Sequence, residues 1–361
     1  MRSVRRTRKG MLTHPRVLTY AVTFRCNARC VMCDSWKKPA EDELSLDEIL
    51  FIFDGLPTMD LVRLTGGEPF LRRDLLDIAG AAQERLRPLA LHITTNGFLT
   101  DRIVAFCEDR AKNVPLYLLI SVDGLEEKHN QVRGRPDAWE RVVGTISALA
   151  PRRRALRLRL GVNQTIGDAA GLDDYERVRD FLRPYGLRSN VVLAYDSSAT
   201  YCAETEAVVP PPDFSRFVGR CLSDAGRAER FFHTVERDLG RSSLPERVGK
   251  RYYIRGLKNR VLNRSHTPNP RCVALGSHIR LLPDGSVPTC QFNTTRVGSL
   301  RHQSLGAICG GDAMQRQRAW VQGCPGCWAE CEVLPNAVYS GDLFRQWFRR
   351  DTRAKRMRGL T

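Results

Sequence analysis

Three thiols stand within eight residues, in the run Cys26-Asn-Ala-Arg-Cys30-Val-Met-Cys33. Thiolates spaced this closely can converge on one metal centre. A [4Fe–4S] cluster ordinarily takes four thiolates. Three ligands would leave one iron open to an outside group, as catalytic zinc keeps an open position. Such an iron could chelate a small molecule and pass it one electron. A structural zinc is the alternative reading, although the segment brings no nearby fourth Cys or His.

A second group of thiols lies far downstream. Cys272 is followed by twelve residues, Gly285, four more residues and Cys290, and the run CPGCWAEC carries Cys324, Cys327 and Cys331. Cys272 and Cys290 flank a hairpin pattern, and the Cys-x2-Cys knuckle can close a site of four thiolates. The set chosen is Cys272, Cys290, Cys324 and Cys327, with Cys331 as a spare or a substitute for Cys324. Tetrahedral zinc would suit the same positions. Twelve cysteines are many for a compartment that disfavours structural disulfides, so ligation is the better reading. Cys107, Cys202, Cys221 and Cys309 fall outside both groups, and Cys107 reads as a small core residue in a helical pattern.

The first group must be held by something, and the chain around it alternates short apolar runs with helical patterns. Val17 to Phe24, Leu61 to Leu64, Leu89 to Thr94, Leu116 to Val122, Leu156 to Val162 and Asn190 to Ala194 read as buried parallel strands. Helices start between them. Ser45-Leu-Asp-Glu48 is a capping box, with Ile49, Ile52, Phe53 and Leu56 as the apolar stripe behind it. Asp74, Asp137 and Asp173 open the later ones. Repeated β-α units imply an α/β fold with a parallel sheet and right-handed crossovers. Six strands fit a partial (β/α)6 barrel better than a closed eight-stranded one, with the chemistry at the C-terminal strand ends.

The rhythm breaks after residue 196. Pro210-Pro-Pro212 marks a boundary, and helical segments follow near Phe214–Phe232 and Pro245–Leu262, the second strongly basic. Ile279 to Leu282, the turn Pro283-Asp284-Gly285-Ser286 and Val287 to Cys290 read as a hairpin. From Pro335 a helix runs into a basic tail. The expected organisation is a basic tail (1–16), a core (17–196), a helical bridge (197–270), a small cysteine-rich auxiliary-cluster domain (271–335) and a basic C-terminal helix and tail (336–361).

The formal net charge is +17, and much of it lies in the tails: five basic side chains and no acid in residues 1–10, seven basic and two acidic in 342–361. Such tails could hold an acidic or anionic partner. Merely solvated tails are the plainer reading. No apolar run is long enough for a transmembrane segment, and the basic N-terminus lacks the apolar stretch of a secretory signal. A cytoplasmic protein is the expectation.

Cys-x3-Cys-x2-Cys after the first strand resembles the signature of the radical S-adenosylmethionine (SAM) superfamily. Met32 takes the place of the family's usual aromatic before the last cysteine. Gly66-Gly67-Glu68-Pro69, ending the second strand, resembles the family's GGEP segment; Thr95-Asn96-Gly97 and Ser121-Val-Asp123-Gly124 resemble its TNG and SxDG segments. Arg133 resembles an arginine that pairs with the SAM carboxylate, and Asn163 stands where a ribose contact often falls. The resemblance covers residues 18–196. It implies that Cys26, Cys30 and Cys33 bind a [4Fe–4S] cluster whose fourth iron takes SAM, and that reductive cleavage yields methionine and a 5′-deoxyadenosyl radical. It implies SAM contacts from Gly66, Gly67, Glu68, Pro69, Asn96, Ser121, Asp123, Arg133 and Asn163. Two glycines permit close backbone approach to a ligand, and an acid or carbonyl there can accept from the SAM ammonium.

The Cys-x12-Gly-x4-Cys element resembles the start of SPASM and Twitch auxiliary-cluster domains. The later block, Cys-x2-Cys-x3-Cys, is shorter than a full SPASM pattern, which favours one auxiliary [4Fe–4S] cluster. Gln291, Phe292 and Asn293 follow Cys290 where some dehydrogenating members place an acid, which counts against a simple alcohol dehydrogenase. About sixteen residues precede the first strand, so a leader-binding domain is expected to be absent or supplied separately. The resemblance implies a one-electron reductant such as a flavodoxin or ferredoxin. A peptide or protein substrate is preferred, with a small-molecule oxidoreductase of secondary or cofactor metabolism close behind. The non-enzyme alternative is a metal-containing RNA-binding protein using the basic tails.

Overall fold

The structure, a computed structural model, describes residues 14–194, 198–211, 225–241 and 244–346. Cys221, most of the Phe214–Phe232 segment, and residues 1–13 and 347–361 of the basic tails lie outside the described residues. Contacts divide the chain into two compact units, one comprising Pro15–Pro210 and His278–Gln317, the other taking in Pro211–Ser277 and the chain from Arg318 onward.

The first unit is the barrel. Strands β1 (Val17–Thr23), β2 (Leu61–Gly66), β3 (Ala90–Thr95), β4 (Leu116–Ser121), β5 (Leu158–Ile166) and β6 (Ser189–Leu193) lie where the apolar runs placed them. Each pairs in parallel with the next. β1 is buried along its whole length, as a central strand covered on both faces must be. Its Tyr20 meets Phe53 edge-on, with ring centroids 6.3 Å apart. This sets Leu18, Tyr20 and Val22 on the helix-covered face and leaves Thr19, Ala21 and Thr23 for the other.

Helix α1 (Leu46–Asp54) has the expected capping box, in which Ser45 accepts from Glu48 N and Glu48 reaches back to Ser45 N. The next helices are α2 (Leu75–Arg85), α3 (Thr100–Asp109), α4 (Glu126–Arg133) and α5 (Ala138–Leu149). Asp74 and Asp137 stand at the N-caps of α2 and α5 but do not cap with their side chains. Their carboxylates bind Arg72, and Arg135 and Arg141, instead. Helix α6 (Ala169–Leu182) starts earlier than Asp173, because Asp168 caps it by accepting from Gly171 N at 2.8 Å. Asp173 sits inside the helix. Cys107 is fully buried in α3, as expected.

The sheet holds a seventh strand. β7 (His278–Leu281) pairs in parallel with β1, Val17 opposite His278, giving the order β6-β5-β4-β3-β2-β1-β7. The expected hairpin forms only its turn, where Gly285 N donates to Leu282 O and Leu282 N to Ser286 O. β8 (Ser286–Pro288) leaves that turn to pair antiparallel with β9 (Arg296–Ser299). Residues 278–317 therefore belong with the barrel.

The second unit is helical. It contains α7 (Ala225–Asp238), α8 (Leu244–Asn263) and α11 (Glu330–Tyr339), while α9 (Leu305–Gly310) and α10 (Asp312–Gly323) lie between β9 and the last cysteines. α11 begins before Pro335, which lies inside it rather than at its start. Trp328 is packed against Gly256 so closely that a Cβ there would lie 1.9 Å from the ring. Its Nε1 donates to Tyr253 O at 3.0 Å, and the Arg260 guanidinium stacks 3.9 Å from the ring centre.

Candidate active site

The cysteine loop leaves β1 and is gripped from two sides. On one side Gly67 N donates to Thr23 O and Glu68 N to Arg25 O, both at 2.8 Å. This approach needs glycine. A Cβ on Gly66 would lie 2.1 Å from Thr23 O and one on Gly67 2.2 Å from Arg25 O, and Gly66 has φ 143°. The close approach inferred for these glycines is thus made to the chain's own backbone. On the other side Arg29 N donates to Arg133 O and Val31 N to Val132 O, both at 3.0 Å. Gly134 ends α4 in the left-handed region, and a Cβ there would meet Arg29 O at 2.2 Å. Gly67→Ala is expected to cost about 3 kcal/mol by overpacking against backbone that cannot yield. A urea midpoint equal to that of the parent protein would contradict this.

Each of the three sulfurs has a hydrogen-bond partner that can donate to it as a thiolate. Ala28 N reaches Cys26 Sγ at 3.4 Å, Arg133 Nη1 reaches Cys30 Sγ at 3.6 Å, and Ser35 Oγ lies 3.1 Å from Cys33 Sγ. Burial pushes the Cys26 thiol up to about 12 and raises Cys30 as well, with Arg133 opposing the latter shift. Thiolates this disfavoured by burial would need a cation to compensate them, which is the charge a metal centre would bring. Ala28, Phe98 and Ala138 form an apolar cluster against Cys26 and Cys30. Among the described residues no three His, Cys, Asp or Glu side chains are grouped to hold a single metal ion. A cubane does not require its sulfurs to meet at one point, since each binds a different iron.

The strand ends around the loop are polar and tightly bonded. Glu68 is buried. It accepts from Phe70 N at 3.1 Å, Thr95 Oγ1 at 2.8 Å and Asn96 N at 2.7 Å. Burial lifts its carboxyl to about 7, and those donors limit the rise. Both of its oxygens are therefore engaged within the chain, and it locks β2 to β3. Pro69 is buried behind it. The Asn96 side chain donates to Asn27 Oδ1 at 2.7 Å and accepts from Phe98 N at 3.0 Å, tying β3 to the cysteine loop.

Ser121, Asn163 and Asn190 share one register row across β4, β5 and β6. Asn190 Nδ2 donates to Asn163 Oδ1 at 3.3 Å. Asp123 Oδ1 accepts from Thr165 N at 2.8 Å, and its Oδ2 pairs with Arg133 Nη2 at 2.6 Å. Burial works against the Arg133 charge, but Asp123 and Cys30 more than offset it and raise its pKa. Arg133 Nε and Asn190 Oδ1 are buried without a hydrogen-bond partner. One orphaned donor and one orphaned acceptor suit a ligand carrying a carboxylate and hydroxyls, as SAM does. Neither Asn27 nor Asn190 stands out in the sequence; Asn190 joins Asn163 only through the β5–β6 register, which is set in three dimensions.

The downstream cysteines are split between the units. Cys272, Cys324, Cys327 and Cys331 belong to the second unit, and Cys290 to the first. Cys272 and Cys324 line one cavity of about 260 Å³ together with Arg271 and Arg318. Burial raises the Cys327 thiol far above its usual range, and Cys272 and Cys331 are close enough to push the same way. Val273 N donates to Asn336 Oδ1 at 2.8 Å, and Asn269 Nδ2 to Pro325 O at 3.0 Å, which fixes both cysteine segments. Cys290 closes a tight turn, its N donating to Asn293 O at 2.8 Å. Residues 198–209 strap this turn to the first cysteine loop, and nothing in the sequence signalled it. Thr200 N donates to Gln291 O at 3.0 Å and Val209 N to Phe292 O at 2.8 Å, while Asp34 N donates to Tyr201 O at 2.8 Å.

Residues 20–156 match the family described as Radical SAM superfamily, and residues 272–331 match SPASM, an iron–sulfur cluster-binding domain. Among curated proteins, the chain is 35% identical over 129 residues to Fe-coproporphyrin III synthase of Methanosarcina barkeri, covering 34% of this chain and 31% of that protein. It is 37% identical over 139 residues to GTP 3′,8-cyclase of Pectobacterium atrosepticum, covering 36% and 41%. The matched region thus spans less than half the length of these relatives. Among solved structures, Streptococcus suis SuiB bound to S-adenosylmethionine superposes with TM-score 0.60 at 14% identity, over 87% of this chain and 70% of that one. AnSMEcpe with bound AdoMet gives 0.58 at 13% identity, over 93% and 96%. At these identities the likeness is one of fold.

Proposed function

The chain belongs to the radical SAM superfamily and carries a C-terminal SPASM iron–sulfur domain, and from that premise we propose that it abstracts hydrogen from a peptide or protein substrate. It is a radical SAM enzyme that uses SAM and a [4Fe–4S] cluster, with auxiliary iron–sulfur chemistry in the SPASM domain. Bound together, cluster and SAM supply a 5′-deoxyadenosyl radical by one-electron reductive cleavage. In this reading Cys26, Cys30 and Cys33 hold the cluster. Arg133 Nε and the row Ser121–Asn163–Asn190 face SAM, and the backbone of Gly66–Pro69 and Asn96 borders it. Glu68 acts through the two strands it joins. Asp123 orients Arg133. One auxiliary cluster draws ligands from the SPASM match, with Cys272, Cys324 and Cys327 in one unit and Cys331 as a spare or a substitute for Cys324. The electron comes from a reductant of flavodoxin or ferredoxin type.

The observation that carries the peptide reading is the extent of the likeness to anSMEcpe, a structure of which also contains bound AdoMet and a peptide and matches over 92% of this chain and 95% of that one. SuiB, too, is known bound to its precursor peptide SuiA. A small-molecule substrate is the second reading, favoured by the names of the curated relatives. The test uses perdeuterated cell extract separated into macromolecular and small-molecule fractions, each given to the reduced enzyme with unlabelled SAM. Deuterium in 5′-deoxyadenosine from the macromolecular fraction alone is the expected result. Deuterium from the small-molecule fraction alone would replace the first reading with the second.

A further inference from the structure

We propose that Arg133 is a redox-positioning residue, whose hydrogen bond to Cys30 makes the cluster on Cys26, Cys30 and Cys33 easier to reduce. The inference rests on those three cysteines being the ligands, and adds to the SAM contact proposed for the same side chain.

The three sulfurs receive three different donors. Cys26 has a main-chain amide and Cys33 a neutral hydroxyl, whereas Cys30 has a guanidinium, at 3.6 Å. Hydrogen bonds to cluster sulfurs and nearby charge are principal settings of a cluster's potential. Reduction adds a negative charge to the cluster, so a fixed positive charge on one ligand stabilises the reduced form more than the oxidised form. Arg133 cannot shed its proton, so the effect does not fade as pH rises.

The guanidinium is held so that it cannot drift from the sulfur. Nη2 pairs with Asp123 Oδ2 at 2.6 Å, and Asp123 is itself fixed by accepting from Thr165 N and by donating its own N to His129 Nδ1 at 3.2 Å. The backbone is fixed too, because Arg133 O accepts from Arg29 N at 3.0 Å within the cysteine loop. Nη2 thus goes to Asp123, Nη1 goes to Cys30, and Nε remains for a SAM carboxylate. A lysine carries the charge but not this fork.

The experiment is a potentiometric titration of the full-length, reconstituted enzyme without SAM, followed by electron paramagnetic resonance. The signal of interest is the one missing from Cys30→Ala. In Arg133→Gln its midpoint is expected to fall by about 59 mV, a tenfold loss of reduced cluster at a fixed potential. Arg133→Lys should fall by less. An unchanged midpoint in Arg133→Gln, with the signal intact, overturns the proposal. If that variant fails to take up iron, Arg133→Lys decides alone, supporting the proposal by a lower midpoint and overturning it by an unchanged one. A Cys30→Ala protein that keeps every signal would instead refute the ligand assignment beneath it.

Discussion

Glu68→Ala is expected to destabilise the protein by about 4 kcal/mol or more and to loosen the strand ends proposed to border SAM. The carboxylate is buried and satisfies three donors, Phe70 N, Thr95 Oγ1 and Asn96 N. Its loss leaves all three unpaired, and each orphaned buried group costs about 1–3 kcal/mol. The Asn96 link to Asn27 in the cysteine loop would loosen with them. Chemical denaturation would show the loss as a lower midpoint. Stability within about 1 kcal/mol of the parent would contradict this account of Glu68.

The same residue gives stability a pH dependence. Its carboxyl rises from the ordinary 4.5 to about 7 in the fold, chiefly through burial. Between these values the folded state keeps a proton that the unfolded state has released. Stability from this group is therefore full below about 4.5 and declines as pH rises to about 7. Glu68→Gln should flatten that slope. A slope identical in parent and variant would show that another group titrates there.

Alanine at Cys26, Cys30 or Cys33, one at a time, should have the largest chemical effect. On the proposed ligand set, with a single auxiliary cubane, two remaining thiolates would not hold the open-iron cluster, and iron should fall from about eight atoms per chain to about four. The remaining iron belongs to the SPASM domain, so it should be absent when Cys272 and Cys327 are replaced together. Eight irons retained in any one of the three single variants would remove that cysteine from the ligand set.

Much of this was legible in the chain itself because its signals are local. Short apolar runs gave six strands, and Ser45 with Glu48 gave a helix start that the structure reproduces atom for atom. What escaped depends on partners distant in sequence. His278–Leu281 reads as half of a hairpin because Asp284-Gly285 is a good turn, and the turn does form; yet the strand's partner is β1, reached only in three dimensions. Gly66 and Gly67 announce a permissive backbone without saying what approaches it, and the approaching group is the cysteine loop. Glu68 reads as a ligand-binding acid, and only its three donors show that it also ties β2 to β3. Residues 198–209 have no periodicity to betray the strap they form. In α8, Gly256 within a basic run gave no hint that it leaves room for Trp328, the neighbour of Cys327.

Anaerobic SAM cleavage tests the open-iron mechanism most directly. Reconstituted enzyme supplied with a strong one-electron reductant should release 5′-deoxyadenosine from SAM, and the Cys26→Ala/Cys30→Ala/Cys33→Ala protein should release none under the same conditions. Equal release from both proteins, or none from the parent with its full iron content, would contradict it.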